Sequence, residues 1–204
     1  MSTNLILIKR GEIMNTKERF IVDFPIHIGS KKEPYIILFD AYTGQGKSYV
    51  SKIISNIDKS VILNNDEIRN WLNDYTDKNN LRNELQRYRL ELLLKNNNSC
   101  ILDSCFCHNW KDKKAYYDSL GYKYYIIRLD CSDAVVEKRL QERVKNDDNY
   151  SEANYNDYLW MKNNVSHVDD DLIDFVINTE KDVELQVKEF YNKYLEENKG
   201  DNHE

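Results

Sequence analysis

Tyr35-Ile36-Ile37-Leu38-Phe39-Asp40-Ala41-Tyr42-Thr43-Gly44-Gln45-Gly46-Lys47-Ser48 is the stretch whose reading decides the fold. Its apolar start suits a buried strand, and beyond it Val50, Ile53, Ile54 and Ile57 recur at helical spacing. Strand, glycine loop and helix thus come in the order of a phosphate-binding P-loop. Glycines let backbone amides curl around phosphate oxygens, Lys47 reaches the β and γ phosphates, and the Ser48 hydroxyl ligates Mg²⁺. The helix N-terminus adds favourable partial charge. The expected nucleotide contacts are Gly44, Gln45, Gly46, Lys47, Ser48 and Tyr49, and the expected ligand is ATP or another nucleoside triphosphate. Ala41 stands where G-x-x-x-x-G-K-S/T has its first glycine, a departure of one methyl group.

The chain has 204 residues, 31% charged and 41% hydrophobic, with a net charge of -6. That length suits one well-cored α/β domain with at most a small appendage. The acidic balance argues against a broad basic face for non-specific nucleic-acid binding, which depends on neutralising phosphates. No apolar run approaches bilayer-spanning length. Leu5-Ile6-Leu7-Ile8 precedes Lys9-Arg10, the wrong charge order for a signal peptide, so a cytoplasmic location is expected. Cys100, Cys105, Cys107 and Cys131 read as reduced thiols. Cys105-Phe106-Cys107-His108 lacks the paired C-x-x-C knuckles of structural zinc sites.

Apolar runs alternate with helical patterns, which predicts βαβ units and a doubly wound parallel sheet. Strands are expected at 35–39, 61–63, 100–102, 124–129 and 175–177, and helices at 47–57, 67–72 with 81–94, 111–120, 133–144 and 183–195. Residues 1–33 read as an N-terminal extension, with an extra strand or hairpin on the domain edge. Residues 34–197 form the domain and 198–204 a polar tail. Tyr155, Tyr158, Leu159 and Trp160 mark a helical lid within 145–170.

Ligands in such sheets sit at the carboxyl ends of strands. After the second core strand, Asp66 and Arg69 lie one helical turn apart. Asp66 either takes the proton of an attacking hydroxyl, with Arg69 on a phosphate, or caps the next helix. After the third, Asp103 and Ser104 follow Cys100-Ile101-Leu102. Asp103 either orients Mg²⁺ through a water or joins Ser104 in binding the acceptor. Arg139 and Arg143 share a helix face, suited either to stabilising a transferred phosphoryl group or to solvent.

With these elements in order, the chain resembles the P-loop kinase family that includes bacteriophage polynucleotide kinase, zeta toxin and chloramphenicol phosphotransferase, from about Tyr35 to Thr179. The resemblance implies a five-stranded sheet of order 2-3-1-4-5 and an ATP- and Mg²⁺-dependent kinase. It implies that Asp66 is the general base and Arg69 an acceptor-phosphate ligand. It further implies that Asp103 and Ser104 contact the acceptor, and that Lys47, Arg139 and Arg143 act on the triphosphate. No D-x-D-G-T phosphatase motif follows, and the loop lacks the family's usual proline and first glycine. The closest motif set points to a nucleic-acid 5′-hydroxyl as acceptor. A nucleoside, nucleotide or nucleotide sugar is the alternative, and a nucleotide-dependent switch without acceptor chemistry is a reading of another class. Arg82, Arg87, Arg89 and Lys95 either line an acceptor groove or form a solvated face beside Leu81, Leu85 and Leu92.

Overall fold

Every residue of the run from Tyr35 to Asp40 is buried, as a strand needs to be when both faces of its sheet are covered. A computed structural model describes residues 7–9, 12–73, 75, 78–144 and 153–195. The chain runs β1 (Leu7–Lys9), β2 (Glu12–Met14), α1 (Thr16–Asp23), β3 (Tyr35–Asp40), α2 (Lys47–Asp58), β4 (Val61–Asn64), α3 (Asn65–Trp71) and α4 (Lys78–Lys95). It continues through β5 (Cys100–Cys105), α5 (Trp110–Leu120), β6 (Lys123–Asp130), α6 (Asp133–Val144), α7 (Tyr155–Asn164), a 3₁₀ turn at Asp170–Leu172, β7 (Phe175–Asn178) and α8 (Val183–Tyr194). The five-stranded sheet has the order β4-β5-β3-β6-β7, and each pair is parallel. Counted along the core strands this is the expected 2-3-1-4-5.

Period-two alternation along β3 divides the core. Tyr35, Ile37 and Phe39 pack with Val50 and Ile54 of α2 and Val187 and Phe190 of α8. Ile36 and Leu38 pack on the other face with Leu90 and Leu93 of α4, Trp110 of α5 and Leu140 of α6. Helices cover both faces, and because all five strands are parallel their carboxyl ends meet at one edge.

The β3–β5 ladder is irregular where it matters. Ile37 pairs with Ile101 and Phe39 with Cys105, so β5 takes four residues to advance where β3 takes two. The extra length bows residues 102–104 away from β3, while Asp103 stays paired with Asn64 of β4.

The N-terminal segment differs in part from expectation. β1 and β2 pair antiparallel as a hairpin, but Ile21, Val22 and Asp23 end a helix instead of forming a strand. Asn15 and Glu18 form a reciprocal capping box that starts this helix, and Phe20 is wholly buried against Ile68, Leu72 and Leu85. Beyond it, Gly29 and Lys31 donate backbone bonds to the Asn96 and Asn97 carbonyls. Residues 16–31 therefore buttress α3 and α4. The expected helix within the lid is α7, while residues 145–152 of that lid and the polar tail lie outside the described residues. Among the described residues no helix is long and apolar enough to cross a membrane.

Candidate active site

The loop between β3 and α2 is shaped by two left-handed residues, Gly44 at φ +79° and Gly46 at φ +98°. A side chain is strained at either. Ala41 is not left-handed, which explains why alanine serves at the position of the first glycine. Gly46 is the N-cap of α2 and offers no side chain to the first turn, so the Lys47 and Ser48 amides stay available to an anion. Gln45 closes the loop from within, its Oε1 accepting from the Tyr42 amide at 2.5 Å. Lys47 lies across the loop and donates from Nζ to the Tyr42 carbonyl at 2.6 Å. Tyr49 is 55% exposed and its N–H is bonded to the Gly46 carbonyl. The first turn of α2 occupies that amide and turns the ring to solvent.

At the end of β4, Asn64 settles the capping question. Its side chain accepts from the Asp66 amide at 2.7 Å, so Asn64 caps α3 and the Asp66 carboxylate is left for other work. That carboxylate pairs with Arg69 Nη1 at 2.5 Å. The second hydrogen-bonding end of Asn64 donates from Nδ2 to Asp103 Oδ2 at 3.2 Å, tying β4 to β5.

Asp103 is the electrostatic centre of the edge. Burial pushes its carboxyl above the ordinary carboxylate value, a hydrogen bond from Ser48 and the charge of Lys47 pull it down, Asp66 pushes it up again, and Arg143 lowers it. Lys47, Ser48, Asp66, Asp103 and Arg143 thus share one charged neighbourhood. They come from the ends of β3, β4 and β5 and from α6. Ser104 is half-buried next to Asp103 on the bowed part of β5.

The two lid arginines have different surroundings. Arg139 donates to the Thr179 hydroxyl at 3.0 Å and to its carbonyl at 2.7 Å, and Nη1 lies 3.7 Å from where a Cβ on Gly46 would stand. It braces the loop after β7 against the P-loop. Arg143, one turn later, faces Asp103 electrostatically.

Several contributors were not singled out from sequence. Asp40, fully buried just before the loop, pairs with Arg128 Nε at 2.7 Å and with His167 Nδ1 at 2.8 Å. Arg128 also reaches Asp170 and the Val168 carbonyl, so the loop entrance is pinned to the strap that follows α7. An acid ending one buried strand and an arginine inside another were the available signal. Val136 and Leu140 of α6 press directly on Gly44. Beside them a cleft of about 630 Å³, bordered by Tyr42, Gln45, Cys131, Tyr158, His167 and Glu180, opens between the loop, α6 and α7.

Mg²⁺ fits the set of donors. The Ser48 hydroxyl and the largely desolvated Asp103 carboxylate, near enough for the hydroxyl to lower the carboxyl's pKa, are the hard oxygen ligands that such an ion takes directly or through water.

Residues 37–167 match the protein family described as AAA domain, a span covering most of the sheet, the P-loop, the Asp66 and Asp103 strand ends and the lid helices. The chain belongs to this AAA domain family. No curated protein shows significant sequence similarity to it. Among solved structures, this AAA domain protein is similar to a Chloroflexus aurantiacus protein provisionally described as a kinase, at 14% identity and a TM-score of 0.61, covering 81% of this chain and 97% of that one. It is also similar to the APS kinase CysC of Mycobacterium tuberculosis, in complex with AMPPNP and APS, at 14% identity and a TM-score of 0.54, covering 78% and 96%. A gluconokinase of Sinorhizobium meliloti aligns at 10% identity and a TM-score of 0.52, covering 79% and 90%. The fold is that of a P-loop kinase.

Proposed function

We propose that this protein is an ATP- and Mg²⁺-dependent kinase that transfers the γ-phosphoryl group to a hydroxyl of a small molecule. The observation that carries the reading is the placement of Asp66. Freed from capping by Asn64 and paired with Arg69, it lies within electrostatic reach of Asp103, whose carboxyl also feels the P-loop residues Lys47 and Ser48. A pure nucleotide switch has no use for such a carboxylate.

In the proposed reaction Lys47 exchanges the Tyr42 carbonyl for phosphate oxygens, and the amides at the start of α2 receive the same anion. Ser48 and Asp103 would hold Mg²⁺, which would supply neutralisation of the phosphate charge. Asp66 accepts the proton of the acceptor hydroxyl, with Arg69 orienting the carboxylate or the acceptor. Arg143 approaches the transferring group from α6, while Arg139 keeps the loop after β7 in place. The small-molecule reading is supported by the names of two solved neighbours, one an APS kinase and one a gluconokinase, and by the net charge of -6. The 5′-hydroxyl of a nucleic acid, expected from the motif set, has less support from these neighbours. Labelled ATP offered with sugar acids, nucleosides, sugar nucleotides, and 5′-hydroxyl RNA and DNA decides between them. ATP hydrolysis that no acceptor stimulates and that leaves every acceptor unlabelled would return the protein to the class of switches.

A further inference from the structure

Two tryptophans border a cavity that the proposed phosphoryl transfer does not use. It is a hollow of about 390 Å³ between the start of α5 and the end of α7, lined by His108, Asn109, Trp110, Trp160, Asn164 and Ser166. That volume falls within the roughly 300–1,000 Å³ of small-molecule sites. Trp110 is 9% exposed and has the Lys111 ammonium over its ring, 5.5 Å from the centroid, so it is a fixed wall. Trp160 is 56% exposed, and among the described residues no other ring is in contact with it. A large flat side chain left open on the rim of a hollow is available for stacking.

Two further lining residues fasten the hollow to the P-loop. Cys107 Sγ donates to the Ala41 carbonyl at 3.6 Å, and the Val165 carbonyl accepts from the Tyr42 hydroxyl at 2.6 Å. Ala41 and Tyr42 follow directly on β3, and Cys107 comes two residues after the end of β5, the strand that carries Asp103 and Ser104. The hollow therefore lies at the carboxyl edge of the sheet. Burial pushes the Cys107 thiol up to about 12, so that side of the hollow is uncharged. Lys111 and Asp112, which also line it, are one of each sign, and a neutral ligand suits such a balance. The remaining polar groups include two carboxamides. Asn109 is left-handed at φ +56° and starts α5 without a side-chain bond to it, so its amide is not spent on the helix. Asn164 donates from Nδ2 to the Trp160 carbonyl at 2.8 Å, which holds it beside that residue and leaves its Oδ1 to accept. Carboxamides match the adjacent donor and acceptor on the edge of a nucleobase, while an aromatic side chain takes its face.

We infer that this hollow binds a nucleobase of the acceptor, stacked on Trp160 and read at its edge by Asn109 and Asn164. The inference rests on the kinase reading for calling the ligand an acceptor, and on the cavity alone for the ring. It favours acceptors that carry a base over sugar acids and simple sugars. A free nucleoside and the 5′-hydroxyl end of a nucleic acid offer the same base chemistry, so the test separates them.

The test begins with the P-loop filled by Mg²⁺ and a non-hydrolysable ATP analogue, so that an added nucleoside cannot bind where ATP does. Adenosine, guanosine, cytidine, uridine, ribose and gluconate are then titrated by calorimetry and by tryptophan fluorescence. Saturable binding with quenching is expected for at least one nucleoside and for neither ribose nor gluconate. By calorimetry, Trp160→Ala should weaken that nucleoside about 5- to 150-fold, the scale of a lost base stack, with Trp160→Phe between it and the parent. Asn109→Gly suits the left-handed backbone, so it should weaken the nucleoside while keeping the melting temperature; a merely structural role predicts the reverse. No nucleoside binding once the analogue is in place, ribose bound as well as the nucleoside, or affinity unchanged in both Trp160→Ala and Asn109→Gly overturns the site. A 5′-hydroxyl trinucleotide that binds more tightly than its nucleoside assigns the base to a nucleic-acid end, and equal or weaker binding assigns it to a small molecule. In transfer assays with labelled ATP, the bound nucleoside should be labelled ahead of ribose and gluconate. Nucleoside binding with no labelled acceptor would sustain the site and defeat the kinase reading, while labelled ribose or gluconate without nucleoside binding would do the reverse.

Discussion

Gly44→Ala tests whether the P-loop and the lid helix form one mechanical unit. A Cβ at this position would stand 2.8 Å from Val136 Cγ1 and 3.0 Å from Leu140 Cδ1 and Cγ, and the backbone is left-handed at φ +79°. The left-handed conformation costs roughly 1–2 kcal/mol with a Cβ. Crowding a packed surface adds typically ~1–3 kcal/mol, because the short valine side chain cannot swing clear. Together these predict a loss of about 2–5 kcal/mol, or on the order of 4–20 °C in Tm for a domain of this size. Gly121→Ala is the matched control, left-handed at φ +72° with nothing within 4 Å of the added carbon. It should lose only the backbone part, about 2–8 °C. Melting by circular dichroism, with and without Mg²⁺ and a non-hydrolysable ATP analogue, makes the comparison. In Gly44→Ala the analogue should also restore less stability than in the parent, since α6 is displaced from the loop it presses upon. Equal losses in the two variants would show that α6 does not rest on Gly44, and the coupling of loop to lid would be refuted.

Lys47→Ala should remove measurable ATP binding in calorimetry while the fold persists, since the ammonium that bonds the Tyr42 carbonyl is the loop's own cation; parental affinity would sink the P-loop assignment. Asp66→Asn should retain analogue binding and lose roughly 100-fold or more in acceptor phosphorylation, the scale of a lost general base. Arg139→Ala and Arg143→Ala should separate: the first loses two bonds to Thr179 and melts earlier, while the second keeps its Tm and lowers kcat more than it raises KM for ATP. Asp103 gives a dependence on pH. Its carboxyl is raised above the unfolded value, so the folded state holds its proton longer, and its contribution to stability of the metal-free chain declines as pH rises from the unfolded value through the folded one. Mg²⁺ needs the deprotonated form, so its stabilising effect in thermal melts should grow across the same window, and Asp103→Asn should flatten both trends.

The sequence by itself determined the class of fold and the alternation of strands with helices along the chain. The apolar runs before Asp40, Asn64, Asp103 and Asp130 recur at intervals filled by helical spacing, and such periodicity is a property of the chain alone. It also marked candidates: Lys47 and Ser48 from the glycine loop, Asp66 and Asp103 from their place after strands, and Arg139 and Arg143 from their shared helix face. Other features depended on distances between segments far apart in the chain. Asn64 rather than Asp66 caps α3, Arg139 holds Thr179, and Asp40 meets both Arg128 and His167. Each is a competition among neighbouring donors and acceptors, decided by which partner the fold brings within hydrogen-bond reach. The N-terminal segment shows the same limit: Ile21-Val22-Asp23 has a strand's local composition, yet the capping box at Asn15 and the burial of Phe20 against α3 and α4 make it helical. Local spacing dictates which face of a helix is polar; only the packing of segments far apart in the chain decides which polar groups meet.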